Sequence, residues 1–218
     1  TLGKEAVKGG AMSFIISFVL IFALMILYFN TSGWIANITL LLNIFFTIGV
    51  LSSLGATLTS ASIAALVLAI GMAVDTNVII FERIKEEISW GRSYPVAVAH
   101  GYNRSLPPVL DAQITTLLTA IVLYIFGVGP IKGFATTQII AIILNLFCAI
   151  LIARLLSEWW TNKKGRHLEY FTKISSIIFK KAHFKFVEFR KVTYIISVLI
   201  LLSGIGALIH GFDQGVEY

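Results

Sequence analysis

Six long apolar runs, separated by shorter connections, dominate the pattern of this chain. They lie at about 11–29, 34–54, 61–82, 110–129, 133–157 and 193–211 and are labelled segments A to F. A helix needs about 20 mostly apolar residues to span a bilayer. Because backbone exposed to lipid must satisfy its own hydrogen bonds, each run is predicted to be a spanning helix. The pattern therefore predicts an all-α, polytopic membrane helix bundle of about six helices.

Composition agrees with the membrane class. The chain of 218 residues is 57% hydrophobic and 13% charged, with a mean hydropathy of +0.89, whereas about a quarter of the residues in a soluble domain are charged. The lone cysteine, Cys148, cannot form an intrachain disulfide and is expected to be a small apolar side chain. The chain begins at Thr1 without a signal-peptide pattern, and we expect it to be a piece of a longer protein.

Basic residues are predicted to fall on one side of the bundle. All Lys and Arg except Lys4, Lys8 and Lys132 lie in the C–D connection, in the E–F connection or at the end of segment E. Six alternating helices place both connections on the same side, which the positive-inside rule makes cytoplasmic. The N-terminus and the polar tail are then periplasmic. The net charge of +6 is thus mostly topological, and no nucleic-acid partner is expected.

Three regions follow from the spacing of the segments. Residues 1–157 form a five-helix membrane domain, 158–190 a cytoplasmic connector, and 191–218 a sixth helix with a polar tail. In the connector, apolar residues recur at helical spacing among lysines, which is typical of an amphipathic helix on the membrane surface. A plain charged linker is the alternative. The apolar residues are Phe171, Ile174, Ile178 and Phe179.

The C–D connection is predicted to hold a short helix of its own, "YPVAVAHGYNRSL". It follows a solvated extension of segment C through Arg83 and Glu87, which oppositely charged neighbours support. His100 lies in the short helix, where a surface or capping role is favoured over a metal ligand. With one cysteine and four scattered histidines, the sequence has no zinc pattern and indicates no metal and no cofactor.

An aspartate interrupts segment C in the stretch "GMAVDTNVIIFERIKEE" (71–87). Placing the ionised carboxylate of Asp75 at membrane depth costs about 2.5–3.5 kcal/mol on insertion scales. Burial favours the neutral carboxyl group, which can load and release a proton. Asp75 is therefore the candidate proton-relay residue. Two structural alternatives stay open: a position near the water interface, about 10 Å below Glu82 by helical rise, or a hydrogen bond to a neighbouring helix.

Segment D carries further polar candidates that would support Asp75. Asp111, Thr115 and Thr119 share one helix face, and Thr116 flanks them. For Asp111, capping of a helix N-terminus is favoured over proton transfer. The threonines either hydrate a path or pack and bond carbonyls of their own helix.

Segment E carries small and polar residues at every fourth position, which lets helix backbones approach closely. Asn145 is one of them and is expected to bond across the interface. Segments C and D are expected to pack on this seam and to hide Asp75 from lipid. The seam consists of Gly133, Thr137, Ala141, Asn145, Ala149 and Ala153.

Enzyme patterns are lacking in the sequence. Intramembrane aspartyl proteolysis needs two aspartates facing each other at depth, whereas Asp75 is deep and Asp111 is predicted at a helix end. No GxSxG, HExxH or P-loop motif is present. A non-enzymatic, ion-gradient-driven membrane protein is therefore expected.

The stretch around Asp75 resembles a spanning helix of the SecD family, whose form is approximately GMAVDANVLIFERIREE. Residues 91–137 resemble the family stretch whose core reads LDANITTLI…LFxFGTGPVKGFA, and "TLGKEAVKGG" resembles the family's exit from its periplasmic domain. This resemblance covers residues 1–157. Residues 184–218 resemble the start of SecF, so the whole chain resembles SecD running into SecF in one fused chain.

The resemblance implies one half of an RND-superfamily transporter, in which two pseudo-symmetric halves hold the site between them. It implies an accessory role in Sec protein export across the bacterial inner membrane, driven by protons or, in some members, by sodium. Asp75 matches the SecD-half aspartate of the ion path. The implied partners are the Sec translocon channel, associated insertase subunits, the preprotein and the lipid bilayer.

One departure from the family form and two alternative functions stay open. Ser60, Ala61 and Ser62 stand where the family has Leu-Pro-Gly, which leaves the shape of the B–C turn open. The alternative functions are an RND-type exporter of lipids or small molecules and a non-pumping scaffold for translocase or insertase subunits.

Overall fold

A computed structural model describes residues 2–56, 59–162, 168–172, 175 and 189–211, and every regular element in these ranges is a helix. The chain divides into two compact units, Thr1–Ser176 and Ile177–Tyr218. The helices are α1 Leu2–Phe29, α2 Thr31–Ser53, α3 Ser60–Ser89, α4 Tyr94–Phe126, α5 Pro130–Leu146, a π-helical turn Phe147–Ile152, α6 Ala153–Thr161 and, in the second unit, α7 Arg190–His210.

All six predicted segments are helical, which confirms the all-α bundle. Five stretches are long and apolar enough to cross a membrane among the described residues, and α7 contributes a shorter apolar stretch, Val192–Ala207. The five are Val7–Phe29, Thr31–Ser53, Ser60–Ser89, Tyr94–Phe126 and Pro130–Thr161, the last of which runs through the π-helical turn into α6.

Helix α4 is longer than predicted. It is one helix of 33 residues, and at about 1.5 Å per residue it exceeds the thickness of a bilayer core. The predicted separate helix at its start is wrong, although Pro107 and Pro108 lie inside α4 and each removes one backbone hydrogen bond. The first half of α4 packs closely on α3, because Gly101 lies against the backbone and side chain of Ile84.

Helix α3 is central and packs against α1, α2, α4 and α5. The small-residue seam predicted on segment E forms one wall of this packing, and Gly133 at its outer end faces Ser62 and Thr59. The other five seam residues are at most 2% exposed, which confirms the predicted close approach: Thr137, Ala141, Asn145, Ala149 and Ala153.

Helix α3 begins at an N-cap, Thr59, that directly precedes the residues departing from the family form. The Thr59 hydroxyl oxygen accepts the backbone N–H of Ser62 at 3.2 Å and lies 3.1 Å from the Ser62 hydroxyl. This N-cap satisfies one of the free N–H groups at the start of a helix. Helix α3 therefore has a capped start without proline.

Part of the connector is built into the first unit. Residues 168–172, here called the strap, are non-helical and cross the end of the bundle where α1 turns into α2. The hydroxyl of Thr31 accepts the Glu169 N–H at 2.7 Å and donates to its carbonyl at 3.2 Å, and the Ser32 N–H donates to the same carbonyl. The strap is thus hydrogen-bonded to the α1–α2 turn.

Alternate side chains of the strap enter the core. Leu168 and Tyr170 are at most 1% exposed, and Tyr170 packs edge-to-face on Phe81, which packs in the same way on Phe29. Burial raises the pKa of the Tyr170 phenol well above its ordinary value, so its ring stays neutral. The predicted amphipathic helix does not include Phe171, which is non-helical. Its other apolar residues, Ile174, Ile178 and Phe179, lie outside the described residues.

Gly33 sets the crossing of α1 and α2. A Cβ added there would overlap the Met25 carbonyl oxygen and lie 2.8 Å from its carbonyl carbon, whereas a Cβ at Gly49 on the same helix meets nothing within 4 Å. We expect Gly33→Ala to lower the free energy of unfolding by about 1–3 kcal/mol, because backbone cannot move aside without strain. Chemical unfolding of the full-length protein measures this. Gly49→Ala is the control, and equal losses in the two variants would contradict the tight crossing.

Tyr170 anchors the strap in the core. Tyr170→Ala is expected to lower the free energy of unfolding by about 3–5 kcal/mol, the range for deleting a buried aromatic ring. Phe171→Ala is the matched control on the same strap, because Phe171 is 43% exposed. Unfolding of the full-length protein compares the two variants. A Tyr170→Ala protein as stable as the Phe171→Ala protein would mean that the strap is not part of the folded core.

Candidate functional site

Asp75 lies in the middle of α3, on a face that the rest of the first unit leaves uncovered. Within the described residues its carboxylate has no hydrogen-bond or ion-pair partner. The uncovered face recurs every three or four residues, as expected for one side of a helix. Its exposed members are Ala64, Leu68, Asp75, Ile79, Glu82 and Glu86.

The expectation that the seam of segment E hides Asp75 is wrong. The seam residue Asn145 instead bonds to Thr76, the next residue of α3, which is 2% exposed. Successive residues are separated by about 100° around a helix axis, since there are 3.6 residues per turn. Burying Thr76 against α4 and α5 therefore turns Asp75 away from those helices.

The Thr76 hydroxyl joins three helices. It donates a hydrogen bond to the Met72 carbonyl one turn earlier, at 3.0 Å. It accepts one amide N–H from Gln113 on α4 at 3.1 Å and one from Asn145 on α5 at 3.2 Å. A hydroxyl has one donor and two lone pairs, so these three bonds use its full capacity. We call Thr76, Gln113 and Asn145 the hydroxyl node.

The node confirms the expectation that Asn145 bonds across the interface. Its amide also lies 3.4 Å from the Met72 carbonyl, and the amide of Gln138 lies 3.4 Å from the Met72 sulfur. Two features of the sequence point to this node. Thr76 is a polar residue beside Asp75, and Gln113 lies off the helix face that Asp111 shares with Thr115 and Thr119. At these two positions the family forms quoted above have Ala and Asn.

The Asp111 stripe stays apart from the node. Asp111 lies in the interior of α4 and is exposed, so the predicted N-cap role is wrong; the N-cap of that helix is Ser93. Thr115, Thr116 and Thr119 donate to carbonyls three or four residues earlier in their own helix. This is the self-bonded alternative for the threonines. Among the described residues, no hydrogen bond or ion pair joins this stripe to Asp75.

A buried ionic cluster marks the end of the bundle where α3 turns into α4. Segment C continues as a helix through Arg83 and Glu87, as predicted, but Glu87 is completely buried and not solvated. Its carboxylate lies 2.6 Å from Arg92, 3.3 Å from Arg104 and 3.6 Å from Arg83. The Trp90 ring lies beside the guanidinium groups of Arg83 and Arg104. Opposite charges around one buried carboxylate therefore tie α3, the turn and α4 together.

Lys85 is the second buried charge at this end. It is 6% exposed, and its ammonium group donates to Glu82 at 2.9 Å. The same group lies over the rings of Tyr28, at 4.1 Å, and Phe29, at 4.4 Å. The faces of aromatic rings attract cations, so α1 contributes to holding this lysine in the interior. No group of three His, Cys, Asp or Glu side chains within the described residues is arranged to hold a metal ion.

Known proteins are similar to this chain over most of its length. The sequence pattern of the family described as "Protein export membrane protein SecD/SecF, C-terminal" matches residues 1–163. The protein translocase subunit SecD of Rhodothermus marinus is 45% identical over 159 residues, which are 73% of this chain and 26% of that protein. The SecD subunit of Magnetococcus marinus is 44% identical over 169 residues, 77% of this chain and 32% of that protein.

Solved structures agree with the fold. The crystal structure of SecDF, a translocon-associated membrane protein from Thermus thermophilus, matches with a TM-score of 0.88 and 34% identity. The match covers 98% of this chain and 29% of that one. SecDF in a super-membrane-facing form matches with a TM-score of 0.85 and 33% identity. The chain spans about a quarter to a third of the length of the relatives it matches.

The family pattern covers most of the chain. The two SecD relatives are 45% and 44% identical to it, which shows a shared family and not only a shared fold. The chain therefore belongs to the SecD/SecF family of protein-export membrane proteins.

Proposed function

We propose that this chain is part of the membrane domain of an accessory subunit of Sec protein export, in which Asp75 carries the coupling ion. The single observation that carries this proposal is the position of Asp75: mid-span in α3, on the face that its own unit leaves open. Family membership supports the export role. The relatives are named as translocase subunits, and one solved relative is described as translocon-associated.

An uncovered carboxylate at this depth requires a covering element in the whole protein. Exposure to acyl chains would cost about 2.5–3.5 kcal/mol or more for the ionised form. The matched SecDF chain is much longer than this one, since the match covers 29% of it. A second transmembrane half is therefore the expected cover, and Asp75 would lie at the interface between halves, where transporters built from repeats place their ion sites.

A carboxyl group enclosed between two halves can couple an ion gradient to movement. When protonated, it is neutral and tolerates an apolar interface. When ionised, it requires water, a cation or a positively charged partner. Each loading event therefore changes which arrangement of the halves is favoured. The work is mechanical, and no covalent chemistry by this chain is needed, so we infer that it is not an enzyme.

Family membership supports the membrane setting and the proposed partners. A multi-pass membrane protein is supported by five helices of spanning length. We place it in the bacterial inner membrane, with the Glu87 cluster and the strap on the cytoplasmic side, because Arg83, Arg92 and Arg104 lie at that end. The Sec translocon channel, its insertase subunits and the emerging preprotein are the proposed partners.

The deciding experiment uses Asp75→Asn in the full-length protein. Vesicles that contain the translocon and this protein are given a proton or a sodium gradient, and preprotein export and ion flux are measured. Asp75→Asn is expected to remove the gradient-dependent part of both, because an amide cannot load or release a proton. Asp111→Asn is the control, since Asp111 is also an exposed carboxylate within a spanning helix. It is expected to export normally.

Two outcomes would overturn the ion-carrier role. Export by Asp75→Asn at the wild-type level, with an unchanged response to the gradient, would favour a non-pumping scaffold for translocase subunits. Loss of export in Asp111→Asn alone would move the ion path to the face of α4. Ion flux without any effect on preprotein would instead favour an exporter of lipids or small molecules.

A further inference from the structure

The hydroxyl node is adjacent in sequence to Asp75, and the proposed function does not use it. Thr76, Gln113 and Asn145 are each at most 5% exposed, so bulk water does not satisfy their polar groups. The three bonds to the Thr76 hydroxyl come from three directions: its own helix, α4 and α5. A side chain held in this way fixes the rotation of its turn of α3.

We propose that Thr76 is a positioning residue for Asp75: its hydroxyl holds two amide groups and thereby keeps the neighbouring carboxylate on the open face of α3. This inference rests on the proposed role of Asp75 as ion carrier, although the position of the carboxylate can be measured without transport. Gln113 on α4 and Asn145 on α5 each donate one amide N–H to this hydroxyl.

The effect of removing the Thr76 hydroxyl follows from the hydrogen bonds that it accepts. Without it, one N–H on Gln113 and one on Asn145 lose their acceptor within the buried interface. Buried donors without partners are costly, so the contacts that hold this turn of α3 would rearrange. The turn would lose its fixed rotation, and the Asp75 carboxylate would no longer be held on the open face.

The threonine hydroxyls of this chain supply a matched control. Thr137 is 1% exposed on α5, similar to Thr76, but its hydroxyl donates to Gly133 of its own helix and holds no neighbouring helix. Thr137→Val therefore deletes a buried hydroxyl without releasing an amide. Thr76→Val deletes the hydroxyl of the node at nearly unchanged volume, and Thr76→Ser keeps it.

The test measures modification of Asp75 by dicyclohexylcarbodiimide, an apolar reagent that attacks protonated carboxyl groups. The full-length protein in bilayers is treated at one fixed pH, and modification at residue 75 is quantified by peptide mass spectrometry. Asp75→Asn gives the background. Thr76→Val is expected to slow the modification about tenfold, because the carboxyl group is no longer held on the open face that the reagent reaches. Thr76→Ser and Thr137→Val are expected to react within about twofold of wild type.

A Thr76→Val protein modified at the wild-type rate would overturn the positioning role. If Thr76→Val fails to fold, Thr76→Ala decides in the same way, since the family form has Ala there. An equally slow modification in Thr137→Val would also overturn it, because any buried hydroxyl would then suffice. Failure of the proposed function is separate: normal export by Asp75→Asn would end the ion-carrier role and leave the labelling result unchanged.

Discussion

A bilayer offers no hydrogen-bond partners, and this constraint organises the five-helix unit. Inside the spans, polar groups must bond to their own helix or to a neighbour. Helix α3 meets this constraint on one side, where the Thr76 hydroxyl bonds to Met72, Gln113 and Asn145. It does not meet it at Asp75, on the open side of the same helix. Under the proposed function, a second half of the transporter would cover this carboxylate.

Charge is handled differently at the end of the bundle that holds Glu87 and Lys85. Both side chains are buried, and both have compensating partners: arginines around Glu87, and Glu82 with aromatic rings beside Lys85. The strap closes the same end by placing Leu168 and Tyr170 in the core. We infer that α1, α3 and the start of α4 form a rigid unit at this end. Under the proposed function, these helices would move together when Asp75 gains or loses its ion.

The two arrangements together fit one half of a transporter. A rigid unit with one uncovered, ionisable face suits rigid-body movement of two halves against each other better than rearrangement within a half. The seam on α5 supports the same interpretation, since its small residues allow close contact with α3 that leaves little room for sliding. Family membership adds that the moving load is a protein chain in export, which remains a proposal for this chain.

The sequence by itself determined the helices, the small-residue seam, the place of Asp75 within an apolar helix and the cross-helix bond of Asn145. Hydropathy and spacing along one chain contain these features, because they depend on a residue's own helix. Tertiary structure alone decided which way Asp75 points, that α4 continues through two prolines, that Asp111 lies within it, that Glu87 is buried and that the strap enters the core. Each of these depends on the rotation and contact of one helix against others, because a buried partner elsewhere in the chain changes what a local pattern permits.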